Sequence, residues 1–251
     1  MNKPGIFRHK GVDIEYGHIL PLELKWLNLL EPYRAEIRAY LDAHPDVRPH
    51  RYFHHLNSSQ AFAFNLFWPF FDAGASASLL RALQVSGSVA DWCLEHVPDA
   101  QEGTNVDMAW RDGEGRWTYC EVKLSEQGFG TAKRDQPHED KRVQIYQSVL
   151  GPYCPAELME PGRFFTNYQI LRNVWLVARA PTASLLFLMP RRNKSLWGPL
   201  RSVLEVLPPD LAGRVHVVAV EDVLDTLCGD QSLSRRLGAY AELLREKYVP
   251  L

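Results

Sequence analysis

Residues 103–124 constrain the fold of this chain more tightly than any other segment, because they spell out two strands and the turn between them. Val106-Asp107-Met108-Ala109-Trp110 and Trp117-Thr118-Tyr119-Cys120-Glu121-Val122-Lys123-Leu124 carry β-forming residues in partial alternation, with Arg111-Asp112-Gly113-Glu114-Gly115-Arg116 between them. If Gly113, Glu114 and Gly115 form a three-residue hairpin loop, Gly115 takes the left-handed position such loops need. Asp112 then faces Arg116, and counting back sets Asp107 opposite Glu121; a different loop length would shift the register by one. Cross-strand neighbours on one face sit about 5 Å apart at Cβ, so two carboxylates there repel and call for compensation. Lys123, two residues after Glu121, projects from the same face and brings one positive charge, while Cys120 and Val122 point to the opposite, core-facing side. A hard divalent cation is the other candidate, because Mg²⁺ takes one or two carboxylates together with carbonyls and waters. An isolated Glu-x-Lys is more often a solvated strand face. The opposed acid and the apolar neighbours Cys120, Val122 and Leu124 set this one apart.

The rest of the chain reads as a mixed α/β protein. Pro32 to Leu41 has the spacing of an amphipathic helix, and the stretch from His44 to His50, with Pro45 and Pro49, reads as a loop. Asn57-Ser58-Ser59-Gln60 is a helix cap for the apolar run Ala61–Phe71, and Ala75–Val85 follows as a second helix. Val89–Glu95 reads as a strand ahead of the hairpin. Helical spacing returns at Lys141–Leu150 and Phe165–Arg179, where Tyr168, Leu171, Trp175 and Ala178 share a face. Ser184–Met189 is a buried strand, followed by a helix over Leu196–Leu207, a strand over Val215–Val220, and helices near Val223 and over Leu233–Tyr248. We expect residues 1–56 to form a helical extension packed on a core domain of residues 57–251.

Bulk properties exclude some classes. The formal net charge is −2, which removes the basic signature of histone-like binders, so any nucleic-acid contact must rely on a local basic cluster or a metal ion. The four cysteines, Cys93, Cys120, Cys154 and Cys228, are scattered without a CxxC pair, so neither a zinc knuckle nor a disulfide framework is expected. The N-terminus lacks the apolar core of a signal peptide and no stretch approaches the length of a membrane span, which makes the reducing cytoplasm the expected location. There is no GxSxG, HExxH or phosphate loop to suggest another hydrolase.

Asp107, thirteen intervening residues, then Glu121-Val122-Lys123 resembles the PD-(D/E)XK nuclease signature. The wider string resembles a group of restriction endonucleases in that superfamily over roughly residues 50 to 225. It comprises Ser58-Ser59-Gln60-Ala61 with Asn65-Leu66-Phe67, Glu102-Gly103-Thr104-Asn105-Val106-Asp107, Glu121-Val122-Lys123-Leu124 with Phe129-Gly130, and Tyr168-Gln169-Ile170-Leu171-Arg172-Asn173. The resemblance implies an αβββαβ core, a mixed central sheet flanked by helices, and metal-dependent hydrolysis of DNA phosphodiesters in restriction, defence or repair. It implies Mg²⁺, with Mn²⁺ as a substitute, held by Asp107, Glu121 and the Val122 carbonyl, with Lys123 at the attacking water or the phosphoryl oxygens and Gln169 near the site. The proline of the motif is replaced by Val106. The first core helix carries no glutamate, so Glu95 or Glu102 is left to supply a third carboxylate, with Gln60 a weaker candidate. Lys133 and Arg134, with His138, Lys141 and Arg142, and the cluster Arg191-Arg192-Asn193-Lys194 are candidate DNA contacts against the plainer reading of solvated loops. His54-His55 and the aromatic run Phe62–Phe71 read as capping or surface histidines and as packing. A homodimer would suit double-strand cutting. The alternative is a non-catalytic nucleic-acid-binding or assembly module that keeps the fold.

Overall fold

The computed structural model describes residues 5–9 and 11–249. The chain opens on a two-stranded antiparallel hairpin, β1 (Gly5–His9) and β2 (Val12–Tyr16), and continues through α1 (Glu31–Ala43), α2 (Ser59–Asp72) and α3 (Ser76–Ala82). A meander follows: β3 (Asp91–His96), β4 (Val106–Arg111) and β5 (Trp117–Val122). After it come the short helices α4 (Gln136–Lys141), α5 (Gln147–Leu150), α6 (Ala156–Met159) and α7 (Pro161–Thr166), with a π-turn at Arg142–Tyr146 between α4 and α5. The remainder is α8 (Tyr168–Ala178), β6 (Ser184–Met189), α9 (Lys194–Leu204), α10 (Pro209–Ala212), β7 (Val215–Ala219), α11 (Val220–Gly229) and α12 (Arg235–Tyr248).

Two compact units result: residues 1–89 with 220–251, and residues 90–219. Neither unit ends at residue 56, and the N-terminal segment is not purely helical, since Gly5–His9 pairs with Val12–Tyr16 as strands. The reason is local. Gly11 sits at φ +85 in the connecting turn, where a glycine adopts the left-handed backbone without steric cost, and Ile6, Val12 and Ile14 supply β-branched residues on either side of it.

In the first unit, α2 starts at Ser58, whose side chain accepts the Ala61 N–H at 3.2 Å. Every residue from Gln60 to Phe71 is buried, as the all-round apolar run requires. Pro69 lies inside this helix and cannot donate to the Asn65 carbonyl four residues back. The Tyr240 hydroxyl of α12 supplies the missing donor at 2.8 Å. The Asn65 side chain is buried as well: it accepts from Leu30 N at 2.9 Å and donates to Asn28 O at 3.1 Å and Tyr248 Oη at 2.8 Å.

The second unit is built on a five-stranded mixed sheet in the order β3-β4-β5-β6-β7. The meander is antiparallel, and β5-β6 and β6-β7 are parallel. Helix α8 packs on one face through Leu171, Val174 and Trp175, which join Ala109, Tyr119, Leu185 and Phe187 in one apolar cluster. This is the helix-flanked mixed sheet, with its meander, crossing helix and next strand, that the sequence led us to expect. The helix expected over 165–179 is divided at Asn167. Ala132 N bonds to Phe165 O at 3.1 Å and Gln169 N bonds to Gly130 O at 3.0 Å, so loop residues take both ends of what would be an i→i+4 helical bond. None of the helices among the described residues is long and apolar enough to cross a membrane.

Candidate active site

The β4-β5 turn sets the site. Asp112 N donates to Arg116 O at 3.1 Å, Asp112 Oδ1 accepts from Glu114 N and Arg116 N at 2.9 Å each, and Gly115 stands at φ +80. This is the three-residue loop deduced above, and the ladder follows it through Arg111↔Trp117 to Met108↔Cys120. One residue further, the same register sets Asp107 opposite Glu121. There the ladder stops. The alternation of bonded pairs would next direct Val122 N to residue 106. The Asp107 carboxylate takes that N–H instead, through Oδ2 at 2.7 Å. The strands part at the point where the acid replaces a carbonyl.

Glu121 is buried, at 4% exposure, beneath α8. Its Oε1 accepts from Lys123 Nζ at 2.8 Å and Gln169 Nε2 at 2.7 Å, and its Oε2 from Asn173 Nδ2 at 3.0 Å and Arg172 Nη2 at 3.3 Å. Gln169, Arg172 and Asn173 are spaced i, i+3, i+4, so one helical face presents all three. Gln169 is oriented without ambiguity, because its Oε1 accepts from Gly130 N at 2.7 Å while its amide nitrogen meets a carboxylate. The polar face expected of this hairpin is therefore polar only at its end. Ala109, Tyr119 and Phe187 continue it as apolar core.

The charges do not balance evenly. Burial, then the Glu121 and Glu95 carboxylates, push the Asp107 carboxyl well above the ordinary range, against the opposing pull of Lys123 and the Val122 N–H. Burial alone would raise Glu121 too, but the Lys123 and Arg172 charges and the hydrogen bonds hold it below the usual value. Burial works against the charge of Lys123, and Glu121, Asp107 and Glu126 more than offset it, so its ammonium is held above the ordinary lysine value. Asp107 is thus the acid whose ionised form burial and the neighbouring carboxylates leave least compensated, and among the described residues its Oδ1 accepts no hydrogen bond.

The two candidates for a third carboxylate are placed differently. The β3-β4 register, Leu94↔Met108 and His96↔Val106, leaves Glu95 across from Asp107, with its backbone in the left-handed region at φ 52. Its carboxylate accepts from Asn105 Nδ2 and contributes to the field on Asp107. Glu102 is buried in a network of its own, accepting from Thr104 N at 2.9 Å, Thr104 Oγ1 at 2.8 Å and Tyr146 Oη at 2.7 Å, with Lys141 Nζ at 3.6 Å. Burial would raise its pKa, and these partners lower it. Gln60 lies in the other unit and holds the 48–50 loop through His50 N and Arg48 O. Lys133, Arg134, Arg191 and Arg192 are all exposed. The side chains around Glu121 that the sequence reading did not single out are Arg172 and Asn173. Their spacing from Gln169 was the signal that could have found them.

Among the described residues no three His, Cys, Asp or Glu side chains are arranged as a metal-binding group. The donor set still suits a hard divalent cation, which needs only one or two carboxylates when phosphate and water complete its shell. Asp107 has an oxygen without a hydrogen bond and an ionised form that burial and the Glu121 and Glu95 carboxylates disfavour. Glu121 can share such an ion where the Lys123 ammonium gives way.

A restriction-endonuclease-like α/β fold with an Asp, a Glu-x-Lys and a polar helix face at the end of its central hairpin defines the class. The chain belongs to the family described as "Restriction Endonuclease associating with ARP", whose model matches residues 1–249. No curated protein and no solved structure gives a match.

Proposed function

We propose that this protein is a metal-dependent endonuclease that hydrolyses phosphodiester bonds of DNA, with Mg²⁺, or Mn²⁺ in its place, bound by Asp107, Glu121 and the Val122 carbonyl and with Glu95 as the outer carboxylate. The observation that carries this reading is the Asp107 carboxylate, fixed on Val122 N–H opposite Glu121, with its ionised form disfavoured by burial and then by the Glu121 and Glu95 carboxylates, a cost that a divalent cation would offset. When bound, the ion would polarise the scissile phosphate and lower the pKa of its water.

The chain's own residues divide the remaining work. Lys123, whose ammonium its acidic neighbours favour in the metal-free protein, suits donation to the attacking water or to phosphoryl oxygens as charge builds there. Gln169, Arg172 and Asn173 are positioning residues: they lock the Glu121 carboxylate from one helix face. Lys133, Arg134, Arg191 and Arg192 are placed by this reading on the DNA backbone. The four free cysteines suit the cytoplasm, and a homodimer would provide two cuts. Cleavage of plasmid or linear DNA by the purified chain in Mg²⁺ or Mn²⁺ tests the proposal. Activity is expected to vanish in Asp107→Ala and Lys123→Ala, and undiminished activity in those variants overturns it.

One observation favours the alternative of a binding module without catalysis. All four donors around Glu121 come from the protein itself, as in a carboxylate kept for structure. Metal-independent DNA binding with no cleavage at any metal concentration would select that reading.

A further inference from the structure

Resting on the nuclease reading, we propose that the groove along α9 is a stacking site for an unpaired nucleotide of the substrate strand, so that the enzyme acts on DNA with a single-stranded stretch beside the scissile phosphate. Lys194, Trp197, Gly198 and Arg201 recur at i, i+3, i+4 and i+7 and share one helical face. With Arg191 they line an open groove of about 460 Å³. A Cβ built on Gly198 would meet nothing within 4 Å, so the floor between the cations is unobstructed.

Two of the cations along the groove, Lys194 and Arg201, are uncommitted. Exposed Lys194 and Arg201 make no ion pair or side-chain hydrogen bond among the described residues, whereas Arg116, Arg236 and Arg245 are paired with Asp112, Glu36 and Asp225. The indole between them is anchored: Trp197 Nε1 donates to Pro190 O at 2.9 Å, and the half-buried residue lines the groove. A flat aromatic side chain flanked by cations on a concave surface is the chemistry that binds single-stranded nucleic acid, the ring taking a base and the cations the phosphates. In a duplex both faces of each base are covered by neighbours, so only an unpaired or extruded base can occupy the ring.

The groove adjoins the catalytic hairpin. Asn193 Nδ2 donates to Leu124 O at 3.0 Å and Glu126 O at 2.9 Å, which ties the residue before Lys194 to the residues just after Lys123. Lys123 N itself bonds to Leu188 O at 2.9 Å, two residues before the loop that leads into α9. The residues just after Lys123 thus meet the start of α9, where Arg191 and Lys194 open the groove.

The test is an anisotropy titration of the full chain, in EDTA, with a labelled single strand of about 12 nucleotides and with the matching duplex. The single strand is expected to bind about ten-fold tighter or more. Trp197→Ala should lose that margin and Trp197→Phe, which keeps a ring, should retain most of it. The exposed pair Lys194→Gln/Arg201→Gln, which leaves the core untouched, should weaken binding and flatten the dependence of log K on log salt by about 1.4. Equal or tighter duplex binding, or unchanged strand binding in the alanine and glutamine variants, overturns the groove. Metal-dependent cleavage by wild type alongside such unchanged binding leaves the nuclease reading standing and the groove refuted. Trp197-dependent strand binding without metal-dependent cleavage does the reverse.

Discussion

Replacing Arg172 by methionine tests the claim that α8 locks Glu121 by charge as well as by shape. The Arg172–Glu121 pair is well removed from water, at 11% and 5% side-chain exposure. Breaking a buried pair by removing one partner costs about 3–5 kcal/mol when the survivor is left alone. Glu121 is not left alone, since Lys123 at 2.8 Å, Gln169 and Asn173 remain. The 3.3 Å Arg172 contact is also the longest of the four. A hydrogen bond to a charged group contributes about 1.5–3 kcal/mol, so a loss of about 2 kcal/mol is expected for Arg172→Met. Urea unfolding measures it directly; with a slope near 3 kcal/mol/M the midpoint should fall by about 0.7 M. Glu121→Gln closes a double-mutant cycle, in which Arg172→Met should cost at least about 1.5 kcal/mol less once the carboxylate is gone. A single-variant cost below about 0.5 kcal/mol, or the same cost in both backgrounds, would refute the charge argument.

Two further predictions concern the first unit. Tyr240→Phe removes the donor that satisfies the Asn65 carbonyl across from Pro69, and should lower unfolding stability by about 1–3 kcal/mol in a denaturant titration; a neutral effect would show that the proline-freed carbonyl finds another donor. His55 has its pKa lowered to about 4, by burial first and then by His54, His18 and His50. The unfolded chain therefore takes up a proton that the folded chain refuses between about pH 6.5 and 4. Stability from this group is complete above pH 6.5 and is lost as pH falls toward 4. The partly accessible setting tempers the loss to about 1–2 kcal/mol at pH 5, and His55→Gln should flatten the unfolding midpoint across that window. A profile unchanged by the substitution would assign the acid sensitivity elsewhere.

Much of the central hairpin was legible in advance because its turn chemistry is local. Asp112, Gly113 and Gly115 admit few loop geometries, and the loop length carries the register to Asp107 and Glu121 by counting. The burial of Glu121 was not legible, since the alternation that places it beside Lys123 says nothing of the helix that later covers it. Gln169 was singled out through resemblance, and its neighbours Arg172 and Asn173 lay in the same motif without a role; only the helical spacing, read against a known partner, assigns them. The break at Asn167 depends on Gly130 and Ala132 arriving from a loop more than thirty residues away, a long-range competition that no periodicity records. The choice between Glu95 and Glu102 was open for a similar reason. The left-handed turn at Glu95 and the Thr104–Tyr146 network around Glu102 arise from tertiary packing. In the N-terminal segment the short hairpin around Gly11 escaped because two five-residue strands are too brief for alternation to stand out from irregular chain.

On the nuclease reading proposed above, Asp107 is the acid that needs a cation. Calorimetric titration of Mn²⁺ into the metal-free chain and into Asp107→Asn addresses it most directly. A saturable heat is expected in the wild type and its loss in the variant, with both proteins equally folded. Absence of metal binding in the wild type, or equal binding in the two, would contradict it.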